Sequence, residues 1–258
     1  MYMIGIIGGT GVYDPDILED VKKVKIHTPY GATSDSIITG FMRGRQVAFL
    51  SRHGSNHTVP PHKINFRANI WALKELGVTR IIATCASGSL QDDYNPGEII
   101  LPDQFIDFGK SVETFYDEGR FYHVGMAEPF CPELRGTLIE SAKNLGIQHH
   151  EKGTYLRISG PQFSTIAASN MYRKFADIIG MTGVPEAILS REKEICFAII
   201  ATITDYDVWI GKPTDFEEMK KVMAKNIQNT KKLLEETISN IPEERSCNCK
   251  DALKGAEA

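Results

Sequence analysis

No stretch of this sequence approaches the ~18 consecutive apolar residues of a membrane-spanning helix, so no membrane span is expected. Positive charge is not concentrated either. The 29 Lys and Arg stand against 33 Asp and Glu, a net charge of −4 with the signs mixed along the chain. No basic stretch is dense enough to make nucleic acid the main partner. Cysteine is scarce, at five in 258 residues, which excludes a disulfide scaffold. Repeats, low-complexity segments and interdomain linkers are absent. The N-terminus lacks the charged flank and cleavage site of a signal peptide, so a cytoplasmic protein is expected. What remains is an ordinary apolar share of 42%, enough for a sizeable core. One domain is expected over residues 1–241, followed by a polar, mobile tail over 242–258.

That tail carries Cys247 and Cys249 as C-x-C in "ERSCNCKD". Three readings stay open: two exposed thiols, a strained disulfide suited to a hot cytosol, and a zinc site, for which the sequence offers no second ligand pair nearby. Cys131 and Cys196, in "EPFCP" and "EICFA", are expected to be buried, with a disulfide between them as an option.

Short apolar runs alternate with helical patterns. Strands are predicted at 3–7, 46–51, 80–85, 98–101, 154–158, 177–181 and 196–204. Several are nearly continuous in Ile, Val, Ala and Phe, the pattern of strands buried on both faces of a largely parallel sheet. Helices are predicted at 62–76, stopped by Gly77, and at 132–145, between Pro132 and Gly146. A last helix is predicted from Thr214, with Glu217 completing a capping box, to about Ile238.

Polar clusters follow the strands: Thr10; Arg52 and His53; Cys85, Ala86 and Ser87; Met181 and Thr182; Asp205 and Asp207. In α/β sheets ligands bind beyond the carboxyl ends of strands, so these clusters are expected to converge on one crevice. The opening turn, "MIGIIGGTGVYD", has no Lys-Ser/Thr and is not a P-loop. Asp14 stands where a dinucleotide fingerprint needs its third Gly. A bare structural turn and a small-anion cradle remain. In the cradle, glycine N–H groups and Thr10 donate to an oxyanion, with Arg52 as charged, bidentate partner. The Asp205-Tyr206-Asp207 pair reads as a polar turn or as a reader of a base, a carboxyl being able to protonate a leaving nitrogen. Phosphate cradle and carboxyl acid together suggest phosphorolysis. His53 and His57 lack a third ligand for a metal. His62, His149 and His150 read as helix-start or surface residues.

Longer matches point the same way. The stretches "IGIIGGTGVYD", "SRHGSNHTVPPHKINFRANIWALKELG", "PGEIILPDQFID", "GMAEPFCPELR", "GPQFST", "GMTGVPEAIL" and "ATITDYDVW" cover residues 4 to about 209. In them the chain resembles the methylthioadenosine phosphorylases of the purine nucleoside phosphorylase superfamily, with a tail similar to archaeal members. The resemblance implies an α/β fold with a mixed, twisted, partly closed central sheet flanked by helices, and a homotrimer or homohexamer. It implies phosphate-dependent cleavage of 5'-methylthioadenosine to adenine and 5-methylthioribose 1-phosphate, without metal or organic cofactor.

By position, the resemblance gives phosphate to Thr10, Arg52, His53, the Cys85-Ala86 backbone and Thr182. Met181 lies against the ribose, Phe163 against the base and Ser164 near the base edge. Asp205 is the catalytic residue at purine N7, and Asp207 receives the 6-amino group. Phe216 and Met219 line the methylthio pocket, and His123 reaches a neighbouring subunit's site. The sequence departs from the family at Cys85, where Thr or Ser is usual, at Gln162, Ile166 and Ala168, and by a residue missing before Ala176. Three rivals follow: a 6-oxopurine nucleoside phosphorylase, disfavoured by the Asp pair; a purine-binding module with little turnover; and a nicotinamide oxidoreductase.

Overall fold

The computed structural model describes residues 2–8, 18–212 and 215–258, with the Phe216 side chain set aside. Its strands are β1 (Met3–Gly8), β2 (Glu19–Val24), β3 (Ile37–Met42), β4 (Arg45–Ser51), β5 (Val78–Ser89), β6 (Ile99–Ile100), β7 (Gln104–Asp107), β8 (His149–His150), β9 (Thr154–Arg157), β10 (Ile178–Gly180) and β11 (Cys196–Tyr206). Its helices are α1 (Phe66–Glu75), α2 (Pro132–Asn144), α3 (Ile166–Tyr172), α4 (Gly183–Glu192) and α5 (Phe216–Asn240).

All the strands join one mixed sheet that branches at β5. On one side β5 pairs in parallel with β1, which pairs in parallel with β4. On the other it pairs in parallel with β11 along almost its whole length. At Gly88 and Ser89 it also meets β10, antiparallel. The continuous apolar runs explain this centre: β1 is buried throughout, and β11 is buried from Cys196 to Thr204. Alternate residues feed two cores. Ile81, Ala83, Ile199 and Ala201 face the layer with Ile70 and Leu73 of α1 and Val184 and Ala187 of α4. Ile82, Ala198 and Ile200 face Leu134 and Leu138 of α2 and Leu233 and Leu234 of α5. The largely parallel sheet expected from the apolar runs is thus a mixed one. Its antiparallel part comes from β2–β3–β4 and from the short strands, which carry little apolar signal.

Several expected boundaries shift. The predicted helix at 62–76 opens with a 3-10 turn at Pro61–Lys63, and α1 itself starts after Asn65, whose side chain accepts from Ala68 N. The cap of α5 is Asp215, which accepts from Glu217 N and Glu218 N, instead of the expected Thr214 capping box; Thr214 lies outside the described residues. The segment after Pro242 packs onto the domain: Cys247 and Cys249 are buried, which overturns the reading of exposed thiols and of a loose tail. Tyr122 and Glu257 form a β-bridge, and His123 N donates to Ala256 O at 2.8 Å.

Candidate active site

A cavity of about 560 Å³ opens where the carboxyl ends of β4, β5, β10 and β11 converge. It brings together Arg52, His53, Ala86, Phe163, Ser164, Met181, Thr182, Asp205, Asp207 and Met219 from the predicted set. Thr10 falls outside the described residues, and of Phe216 only the backbone position at the start of α5 is described. Cys85 does not line the cavity but lies just beneath it, buried. His123 does not line it either; it sits on the loop held by the C-terminal residues. The cluster at Cys85–Ser87 does not end its strand as expected, because β5 runs on to Ser89.

Arg52 is almost wholly buried, and the reason it can be so is Glu186, which sequence reasoning missed. Glu186 sits in the first turn of α4 and meets Arg52 in a fork: Nε to Oε1 at 2.5 Å and Nη2 to Oε2 at 2.9 Å. Arg52 Nη1 donates to Thr84 O at 3.0 Å. Burial opposes the Arg52 charge, yet the Glu186 carboxylate outweighs it and holds the guanidinium above its ordinary range. Glu186 takes the Nε–Nη2 edge of the guanidinium, so the edge open to an anion is the one formed by Nη1 and Nη2. Of the five guanidinium N–H donors, one more points at Cys85 Sγ, 3.9 Å away, a weak acceptor. Burial first, and then Glu186, raise the Cys85 thiol, while Arg52 pulls it down, so it stays protonated. Thr182 Oγ1 lies 3.7 Å from the same sulfur and carries no cap bond at the N-terminus of α4. A Cβ at Gly183 would meet Ile199 Cδ1 at 2.5 Å, so only glycine lets this helix start lie against β11.

His53 is neutral. Burial, and then the Arg52 charge, push it down to about 4. Its Nδ1 lies 2.8 Å from Val59 O and donates to it, which leaves Nε2 as an acceptor.

At the other end of the cavity, a bulge in β11 after Ile203 re-aims the chain. Strict alternation would send Thr204 and Asp205 to opposite faces, yet both line the cavity. Asp205 Oδ1 accepts from Thr204 Oγ1 at 2.7 Å. Burial, opposed by that hydrogen bond and assisted by Asp207, raises the Asp205 carboxyl to about 6. Asp207 is buried and its Oδ2 accepts from Ser169 Oγ at 2.5 Å. Ser169 belongs to α3, which forms despite the departures at Ile166 and Ala168 because Thr165 caps it, accepting from Ala168 N at 3.1 Å. The hydroxyls of Ser87 and Ser164 are buried in the cavity wall with no hydrogen-bond partner among the described residues. Two such orphans in one pocket mark places for a polar ligand. His57, Met223 and Ile179 also line the cavity without having been singled out as site residues. For Met223 the available signal was its place beside Met219 on the apolar side of the last helix.

Residues 3–239 match the family model described as the phosphorylase superfamily. A relative from Nitrosopumilus maritimus, named S-methyl-5'-thioadenosine phosphorylase, is 54% identical over 256 residues, covering 98% of this chain and 97% of its own. One of the same name from Pyrococcus furiosus is 55% identical, covering 98% of each chain. Among solved structures, a methylthioadenosine phosphorylase from an antarctic soil metagenomic library superposes with a TM-score of 0.94 at 42% identity, covering 99% of this chain and 92% of that one. The methylthioadenosine phosphorylase of Schistosoma mansoni in complex with adenine gives a TM-score of 0.90 at 35% identity, covering 95% and 93%.

Proposed function

The chain belongs to the methylthioadenosine phosphorylases of the phosphorylase superfamily, and from that premise we propose that its cavity performs phosphate-dependent cleavage of 5'-methylthioadenosine. The observation that carries the reading is the polarity of the cavity: a buried cation at one end and a raised carboxyl at the other. The phosphate oxygen attacks C1' as the bond from C1' to the purine N9 breaks. The bonding pair leaves with the purine, and a proton from Asp205 reaches N7. Products are adenine and 5-methylthioribose 1-phosphate. The pentose carries positive charge in the transition state, next to the phosphate, so the acceleration is mainly positioning and electrostatics.

Phosphate is held by the remaining Arg52 donors, Thr182, the start of α4, the backbone at Cys85-Ala86, and Thr10 of the glycine turn. Neutral His53 accepts a hydrogen bond from a phosphate hydroxyl through Nε2, so it reads the protonation of the anion instead of adding charge. Met181 lies against the ribose and Phe163 against the base. Ser164 meets the base edge, and Asp207, fixed by Ser169, receives the 6-amino group. Met219, Phe216 and Met223 surround the methylthio group. Replacing Met223 by Ala is expected to cut the preference for methylthioadenosine over adenosine about tenfold, from loss of apolar contact with the thioether. Measuring kcat/KM on both nucleosides checks it; an unchanged ratio removes Met223 from the pocket.

The proposal includes a homotrimer or homohexamer in which His123 enters a neighbour's cavity. Phe108, Val112 and Phe175 are exposed apolar residues that such contacts would cover. It also includes a cytoplasmic location, where nucleoside and inorganic phosphate meet; among the described residues no helix is long and apolar enough to cross a membrane. The reaction needs no redox or organic cofactor, since phosphate is the co-substrate.

The testing experiment supplies methylthioadenosine, methylthioinosine, adenosine and inosine in turn, with and without phosphate, and follows free base. Adenine released from methylthioadenosine only with phosphate is the expected result. Hypoxanthine from methylthioinosine, without adenine, would overturn the base assignment. No base from any nucleoside would overturn the enzyme reading.

A further inference from the structure

One side chain of α5 reaches the strand that carries Asp205. Asn226 is buried, and its Nδ2 donates to Ile203 O at 3.0 Å. A carbonyl can only accept, so that bond fixes which way the amide is turned. Ile203 is the last residue of β11 before its register with β5 slips. It faces Ser87, the next pair is Asp205 with Gly88, and Thr204 is the extra residue between them. We propose that Asn226 is a positioning residue for the reaction, pinning this bulge so that Asp205 stays aimed into the cavity; the proposal rests on the reading of Asp205 as the acid given above.

The bulge is held at both ends. Ile203 O also accepts from Gly97 N at 2.9 Å, and Ile203 N donates to Glu98 O at 3.0 Å. Beyond the bulge, Tyr206 Oη donates to Asn95 Oδ1 at 2.8 Å, and Asp207 N donates to Ser89 O at 3.0 Å. The turn at 95–98 is itself tied, since the Glu98 carboxylate accepts from Asn95 N at 2.9 Å and from Asn95 Nδ2 at 3.3 Å. These grips come from the sheet and from this turn. Asn226 adds the grip of α5.

The choice of residue points to the hydrogen bond and not to packing. Asn is a poorer helix former than Leu or Met. Here it also buries Oδ1 with no hydrogen-bond partner among the described residues, a cost that an apolar side chain would avoid. The core contacts of the helix are made further along, by Leu233, Leu234 and Ile238.

Its place on the helix gives the bond a further effect. Met219, Met223 and Asn226 stand at i, i+4 and i+7, on one stripe of α5. Both methionines line the cavity, and among the described side chains of α5 Asn226 is the first that is buried. The part of α5 that faces the thioether is thus continuous with the group that pins the acid. A 5' substituent that packs on Met219 and Met223 seats the helix, and with it the bulge. The thioether is therefore expected to raise kcat as well as affinity.

Asn226→Leu keeps the side-chain volume and removes the donor. It removes the orphan oxygen as well, so Tm should stay close to that of the wild type. On methylthioadenosine with phosphate, kcat should fall about 10- to 100-fold with KM little changed, the size of effect expected from a misplaced acid. The kcat advantage of methylthioadenosine over adenosine should shrink with it. Asn226→Ala, which has no side chain to clash, should show the same split. Leu234→Ala, two turns further along the helix, is the structural control: lost packing lowers its Tm, but it should keep kcat. Without substrate, amide exchange in Asn226→Leu should rise at Gly97 and at 203–206, while β1 and β4 keep their protection. A raised KM with unchanged kcat, or a loss of kcat that Leu234→Ala reproduces, overturns the proposal. So does exchange at 203–206 equal to that of the wild type. A wild type that releases no base from any nucleoside overturns the reading of the reaction instead, and the exchange measurement still decides whether Asn226 pins the bulge.

Discussion

Asp205→Asn is expected to lower kcat/KM for methylthioadenosine by about 10²- to 10⁴-fold, the range for removing a positioned acid. An amide at this position still donates a hydrogen bond to N7 but has no proton to give when the glycosidic bond breaks. It also offers its N–H₂ group to an exocyclic oxygen, so the ratio of methylthioinosine to methylthioadenosine turnover should rise. Steady-state kinetics on both nucleosides read the two effects separately. Unchanged selectivity would undo the assignment of Asp205 as the reader of N7.

The same carboxyl ties activity to pH and stability. Burial, countered by Thr204 and reinforced by Asp207, holds it at about 6 in the folded chain, against about 3.9 for an unperturbed Asp. A proton is thus bound more tightly by the folded than by the unfolded state. The associated stability is fully present below the unfolded value and is lost as pH rises through about 6. Asp205→Asn removes the buried negative charge, so it should raise stability near pH 8 by about 2 kcal/mol and change little near pH 4. Denaturant unfolding at the two pH values checks this. In kinetics, the wild type should show an alkaline limb in kcat/KM that the variant lacks, while the limb from phosphate ionisation stays in both. A variant that loses activity without gaining stability at high pH would mean that the carboxyl is not held in its raised state.

Much of this site could be read from the strand ends. Arg52, Ala86, Thr182 and Asp205 lie where continuous apolar runs give way to polar residues, and a sheet with parallel central strands necessarily gathers such ends. What stayed hidden had no local signature. Glu186 sits in a helix whose other buried residues, Glu192 apart, are apolar or small, and only the fold places it against a residue 134 positions away. Ser169 bonds Asp207 through a helix, α3, that is one of the shortest in the chain and carries no clear apolar period. The bulge in β11 is invisible in "ATITDYD", because an extra residue in a strand changes register without changing composition. The tail misled for a related reason. Its polar composition implied a mobile segment, yet two cysteines and a few backbone bonds suffice to dock it, and neither contributes to a hydrophobic pattern.

Arg52→Met should abolish phosphorolysis and also destabilise the fold, and the second effect separates the two roles of the pair. Arg52 and Glu186 are both almost fully buried. Removing one partner leaves the other charge or its proton stranded in the core, at a cost of about 3–5 kcal/mol. Arg52→Met/Glu186→Leu removes both and should recover most of that stability, because apolar side chains of similar volume replace a buried pair at little cost. Activity should not return with it. In the wild type, phosphate binding raises Tm as its concentration passes Kd; in both variants that rise should vanish, since the cation facing the anion is gone. Calorimetry across a phosphate series, with kcat/KM in parallel, measures all of this. A double variant that still saturates with phosphate at an unchanged KM would place the anion elsewhere in the cavity. A double variant as unstable as Arg52→Met would show that Glu186 has partners beyond Arg52. The expected pattern gives Glu186 a definite part: by taking one edge of the guanidinium it keeps Arg52 charged in a buried place, and by leaving the donors near Cys85 Sγ loosely engaged it lets phosphate bind and leave within a turnover.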